Sequence, residues 1–265
     1  MGHPLFKGAP MKTWFVLFVL ALGSVPGLNA AEIAYTDGTT PLKGYLAGEK
    51  FTGKRPGVLI IHQWMGLTRH EMDAADRIAK DWGYVAFAAD IYGPTRPASI
   101  QDAATQAAQF RNDRSLYRSR LTAALEQLQA RPNVDPRRLA VIGYCFGGMG
   151  ALELARMNAP VLGAVSFHGS FAKSDLFADP ERMAPKILIL HGADDPYSDR
   201  ASVAALQKEL DAAHADYEVV LYSGTVHAFT QKEAGDDPAK GAAYNAESDV
   251  RSWRACGDFL KELFR

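Results

Sequence analysis

The sequence predicts an α/β fold, a mostly parallel central sheet flanked by helices on both faces. Two observations carry this. Short, uniformly apolar runs, unsuited to strands with one wet face, alternate along the chain with stretches whose apolar residues recur at helical spacing. No Pro/Gly/Ser-rich linker interrupts residues 56–265, so the alternation belongs to one domain built from crossover units. Composition agrees: with 48% hydrophobic and 22% charged residues in a chain of 265, intrinsic disorder is excluded as the dominant state. Lys and Arg number 29 against 30 Asp and Glu, a formal charge of -1, so there is no basic excess to hold a phosphate backbone and nucleic acid is not expected as a partner. The two cysteines, Cys145 and Cys256, make neither a disulfide framework nor a four-cysteine zinc site.

The first 30 residues differ from the rest. Lys7 and Lys12 are the only charges before Glu32, the apolar run Trp14 to Leu22 follows directly, and small and turn-forming residues lead to Ala30-Ala31. This is the layout of a secretory signal, and a run of nine is far short of the roughly 20 apolar residues a membrane span needs. Residues 1–30 are therefore expected to be a signal peptide and 31–265 the mature domain, a periplasmic or secreted protein with no stable membrane insertion after cleavage. Within that domain, Glu32 to Ala47 reads as an antiparallel pair turning at Asp37-Gly38. Gly57 to His62 reads as a strand buried on both faces, and His70 to Trp82 as a helix stopped by Gly83. Tyr84 to Ala89 is a second buried strand. Ser99 to Arg131 is helical, broken near Asn112-Asp113. Strands are expected at Arg138 to Gly143, Val161 to Phe167, Lys186 to Leu190 and Tyr217 to Tyr222, with helices at Gly147 to Met157, Ala201 to Ala213 and Ala246 to Phe264.

Chemistry concentrates where strands end. The strand RLAVIG runs into Gly143-Tyr144-Cys145-Phe146-Gly147-Gly148 and then a helix. A strand-to-helix turn this sharp needs flanks without side chains, which Gly143 and Gly147 supply, and it lifts Cys145 over the sheet at a helix N-terminus, where a thiolate is favoured. The Phe146 N–H then points to where an oxyanion would form. The strand KILIL leads to His191-Gly192-Ala193-Asp194-Asp195-Pro196, and Asp195 is placed to hold an imidazole tautomer. The strand YEVVLY leads to Ser223-Gly224-Thr225-Val226-His227, placing His227 on the loop from which a base reaches the turn. Nucleophile, acid and base occur in the chain order such a turn requires. After the first buried strand, His62-Gln63-Trp64-Met65-Gly66 supplies a second oxyanion donor, assigned to Trp64. His168 and His191 end strands before glycines and read as structural. No grouping of His, Asp or Glu has convincing metal spacing.

Together these residues resemble the dienelactone hydrolase family of α/β-hydrolases. The resemblance runs from about Leu42 to Arg265 through IIHQWMGLTRH, YVAFAADIYG, VIGYCFGG, HGADDP and SGTVHAF, the last followed by a helix containing Tyr244. It implies the α/β-hydrolase fold, a Cys–His–Asp triad, no metal or organic cofactor, and hydrolysis of a small ester or lactone through a thioester. The chain departs from the family pattern twice. Gln63 stands where the family commonly has Glu, a group that takes part in ionising the thiol. Gln231 stands four residues after His227, where the family's type enzyme has an Arg for the substrate carboxylate; Arg96 is the alternative cation. Tyr92, Tyr144 and Phe146, with Trp64, are expected to line an acyl pocket or to fill core. Two other classes compete with a hydrolase: a thiol redox protein with Cys256 resolving an oxidised Cys145, and a binding protein on a disabled hydrolase scaffold. The oligomeric state stays open.

Overall fold

The computed structural model describes residues 30–171 and 183–265. The expected signal segment lies outside the described residues except for Ala30, which opens the first strand. Among the described residues eight strands form one sheet: β1 (Ala30–Asp37), β2 (Thr40–Ala47), β3 (Arg55–Ile61), β4 (Val85–Ala89), β5 (Val134–Tyr144), β6 (Gly163–Phe167), β7 (Lys186–Gly192) and β8 (Tyr217–Tyr222). Their spatial order is β1-β2-β4-β3-β5-β6-β7-β8. The leading hairpin is antiparallel to its neighbours, as its alternating pattern predicts, and every pairing from β4 to β8 is parallel.

The helices are α1 (Arg69–Trp82), α2 (Ile100–Asn112), α3 (Arg114–Gln129), α4 (Phe146–Arg156), α5 (Arg200–Ala212) and α6 (Ala246–Leu263). Helices α2 to α5 cover one face of the sheet and α1 with α6 the other, which is why the central strands carry apolar side chains on both sides. Gly83 ends α1 in the left-handed conformation, with φ 71°. The break expected near Asn112-Asp113 is real: Asp113 leaves the α-region and caps α3 through the Leu116 amide. Strand β5 starts earlier than Arg138 because Val134 pairs with Arg55 across a bulge. On α4, the fully buried Glu153 takes Arg118 from α3 and Arg156 at 2.9 Å each, tying α3 to the helix that follows Cys145. No helix among the described residues is long and apolar enough to cross a membrane.

Candidate active site

All the parallel strands point their carboxyl ends the same way, so the loops after β3, β5, β7 and β8 meet over one edge of the sheet. Strand β5 delivers Cys145 there. Its φ of 53° and ψ of -111° are a conformation side chains seldom adopt, and Cys145 is the residue from which α4 starts. The flanking glycines explain how the chain tolerates it. A Cβ at Gly143 would overlap the Gly147 carbonyl, and one at Gly147 would overlap the Ile61 carbonyl at the end of β3. The elbow is thus pressed against its own next turn and against the neighbouring strand.

The loops after β7 and β8 bring two further side chains to it. His227 Nε2 lies 3.0 Å from Cys145 Sγ, and His227 Nδ1 lies 2.7 Å from Asp195 Oδ2. Asp195 is fixed from the other side, its Oδ1 accepting the Tyr197 and Ser198 amides at 2.8 and 3.2 Å. The neighbouring Asp194 is exposed, so it is Asp195 that faces inward. Burial pushes the Cys145 thiol up, but the charge and hydrogen bond of His227, with the Phe146 amide and the Arg111 cation, outweigh it and hold the thiol below its ordinary value. Burial acts on His227 in the opposite sense, against its cation. The Cys145 charge and the Asp195 hydrogen bond overcome that and raise it to about 10. Each partner favours the charged form of the other.

The loop after β3 is built to expose one amide. Gln63 Oε1 accepts the Met65 N–H at 2.8 Å, the Gly66 N–H donates to Gln63 O at 3.2 Å, and Tyr92 Oη donates to Trp64 O at 2.8 Å. The buried Glu71 accepts the Gln63 N–H at 3.3 Å and the Thr68 N–H at 2.9 Å, capping α1 while it holds the loop. His62 ties the loop to the next strand: the Ile91 amide donates to its Nε2 at 3.1 Å, so its Nδ1–H donates to Gln63 O at 2.6 Å. The Trp64 amide alone in this turn has no acceptor among the described residues. The Phe146 amide, at the start of α4, is the one that bonds the Cys145 sulfur and favours its charge.

The expected pocket residues separate. Gln63 is turned into its own loop, 5% exposed. Tyr92 is buried between His62 and Phe146. Tyr144 faces the α1/α6 layer, because strand alternation sends it to the side opposite its neighbour Cys145, and it stacks on Phe167 at 4.8 Å. There it floors a cavity of about 420 Å³ with His70, Arg77, Thr230 and Trp253, which neither Cys145 nor His227 lines. Arg96 lines a different cavity of about 410 Å³, with Glu32, Lys43 and Asp90, beside the leading hairpin. Gln231 opens a short turn after His227, its Nε2 without a partner.

Sequence reasoning missed Glu71, although Thr68-x-x-Glu71 before an apolar run is a legible helix-start pattern. It also missed Arg111, which carries no spacing signal. The second cysteine is no partner for the first: Cys256 is fully buried on α6 in the layer opposite Cys145, and burial holds its thiol protonated. No group of three or more potential metal ligands occurs among the described residues.

The model of the dienelactone hydrolase family matches residues 42–264. A solved dienelactone hydrolase-like promiscuous phosphotriesterase from metagenomic libraries is 35% identical, with a TM-score of 0.83 over 89% of this chain and 98% of its own. A Bradyrhizobium protein described as a probable 2-oxo-3-(5-oxofuran-2-ylidene)propanoate lactonase is 29% identical across 84% of this chain and 93% of its own. The dienelactone hydrolase of Anabaena variabilis, 16% identical with a TM-score of 0.63 over 89% of this chain and 98% of its own, shares the fold.

Proposed function

The chain belongs to the dienelactone hydrolase family, and from that premise we propose that it is an exported hydrolase of small carboxylic esters or lactones acting through a Cys145–His227–Asp195 triad. The observation that carries the reading is the unbroken line from Asp195 Oδ2 through His227 to Cys145 Sγ, at 2.7 and 3.0 Å. Within it, the Cys145 thiolate attacks the carbonyl carbon, and the electron pair of the C=O bond moves to oxygen, held by the Phe146 and Trp64 amides. Collapse expels the alcohol oxygen, which takes the proton from His227 Nε2, leaving a thioester on Cys145. His227, now neutral and held in one tautomer by Asp195, takes a proton from water. The hydroxide attacks the thioester carbon, and the second collapse releases the acid and restores the thiolate and imidazolium. Export is read from Lys7, Lys12 and the Trp14 to Leu22 run, and would place the enzyme in the periplasm or outside the cell.

The test is a panel of chromogenic esters and lactones of varied chain length and charge, run on wild type and Cys145→Ala, with intact mass measured during turnover. An acyl adduct on the wild type and its absence, with turnover lost, in a folded Cys145→Ala is the expected result. A folded Cys145→Ala of near-wild-type rate would remove Cys145 as nucleophile.

A further inference from the structure

His168, just past β6, has features a structural residue seldom combines. It is fully buried, its φ of 38° is left-handed, and its Nδ1 reaches no partner outside its own residue. It touches three of the four residues in the turn that carries His227. Its ring meets that of His227 at 5.2 Å and 68°, and that of Phe229 at 5.2 Å and 80°. Its Nε2 lies 2.8 Å from Thr230 Oγ1. The fourth residue, Ala228, is itself left-handed, with φ 57°, so the turn holds a conformation its own sequence does not favour.

From this packing we infer that His168 is a positioning residue for the reaction: it pins the His227–Thr230 turn to the end of β6 and sets the plane of the His227 ring, so that one imidazole meets Asp195 and Cys145 at once. The inference rests on the triad proposed above. A phenyl ring would supply the packing but not the hydrogen bond that fixes the turn through Thr230. The residue also suits its place beside an imidazolium. Burial first, and then the charge of His227, push it well below the ordinary histidine value, so the neutral ring is favoured beside His227.

The experiment compares His168→Phe, Thr230→Val and the double variant with wild type, using p-nitrophenyl acetate turnover and iodoacetamide labelling of Cys145 against pH. Cys145→Ala and His227→Ala serve as triad controls. Each single variant should lower kcat about tenfold with KM changed less than twofold, because small displacements of a reacting group cost rate rather than binding. Each should move the midpoint of the labelling profile to higher pH, a change that loss of general stability would not produce. The double variant should be no worse than Thr230→Val alone, which removes the His168 bond together with the longer 3.5 Å contact of Thr230 with His70. His168→Gln, whose amide can still reach Thr230, should recover part of the rate. If His168→Phe fails to fold, Thr230→Val decides the matter. Folded variants with kcat and labelling within twofold of wild type, or singles whose effects multiply in the double, overturn the inference and leave the triad standing. Full activity in Cys145→Ala or His227→Ala would instead overturn the triad and this inference with it.

Discussion

The Nε2 of His227 lies 3.0 Å from Sγ of Cys145. At that separation the two titrate as one unit, and the direction of each shift fixes a pH profile. Cys145 is held below the ordinary thiol value, so the thiolate should persist at pH values where a free cysteine, near 8.5, is protonated. His227 is raised to about 10, so its imidazolium is present below that pH and lost above it. Ester hydrolysis should therefore rise at low pH, hold a plateau, and fall near pH 10, as the proton owed to the leaving alcohol disappears. Iodoacetamide labelling should show the rise and not the fall. A labelling midpoint at the free-thiol value would contradict the ion pair.

Asp195→Asn should lower kcat by about 10²- to 10⁴-fold with the fold intact. The Asn Oδ1 can still accept the Tyr197 and Ser198 amides, so the loop keeps its shape. What faces His227 Nδ1 is then an NH₂ group, a donor where an acceptor stood, and the ring turns to the tautomer that cannot take the Cys145 proton. Asp194→Asn, at an exposed position, should leave kcat within twofold. Equal losses in both variants would mean that the loop, and not the carboxylate, matters.

Local chemistry was legible in the sequence, and contacts across the fold were not. Gly143-x-Cys145-x-Gly147 announces the elbow because only glycine fits where two backbones nearly touch, and the structure shows those two approaches. Asp195 and His227 could be singled out because each lies just past a strand, and parallel strands collect such ends at one edge, where the structure brings them together. Of the two readings open for Tyr144, the structure shows core, because the same alternation that exposes Cys145 turns its neighbour away. Arg96 lies beside the leading hairpin, a placement no spacing reports, because a loop's direction after a strand is not written in its sequence. His168 read as structural because its meeting with His227 joins residues 59 apart in the chain, which no local pattern reports.

Gly147→Ala should destabilise the protein by about 3 kcal/mol, since the new methyl overlaps the Ile61 carbonyl and backbone cannot give way as a flexible side chain does. Gly53→Ala is the control. Its φ of 75° also penalises a side chain, but nothing lies within 4 Å, so the cost should be about 1 kcal/mol. Chemical denaturation of both variants measures the difference, and equal losses would show that backbone conformation alone sets the requirement.

Thiol counting should separate the two cysteines. Cys145 is partly exposed with its thiol held below the ordinary value, whereas Cys256 is fully buried with its thiol pushed up. Native protein should release one equivalent quickly, and denatured, unreduced protein two. A count of zero after denaturation, with a single monomeric mass, would indicate a disulfide between them and revive the redox reading.

The last prediction concerns Gln63. Its Oε1 accepts the Met65 amide at 2.8 Å, within the turn that presents the free Trp64 amide, and the Glu71 carboxylate already lies 3.3 Å from its own N–H. A carboxylate in its place can keep the Met65 bond, so loop geometry should survive Gln63→Glu. What changes is charge: a second anion enters the turn that borders Cys145, and like charges in one site disfavour ionisation. The thiolate of Gln63→Glu should form at higher pH than in wild type, labelling at neutral pH should slow, and His227 should remain required. Gln63→Leu separates the two effects, since it removes the Met65 bond without adding charge. It should lower kcat through the oxyanion loop and leave the labelling midpoint where it was. If Gln63→Glu overlays wild type at every pH, or if Gln63→Leu shifts the midpoint equally, the neutral amide is not what leaves thiol ionisation to His227.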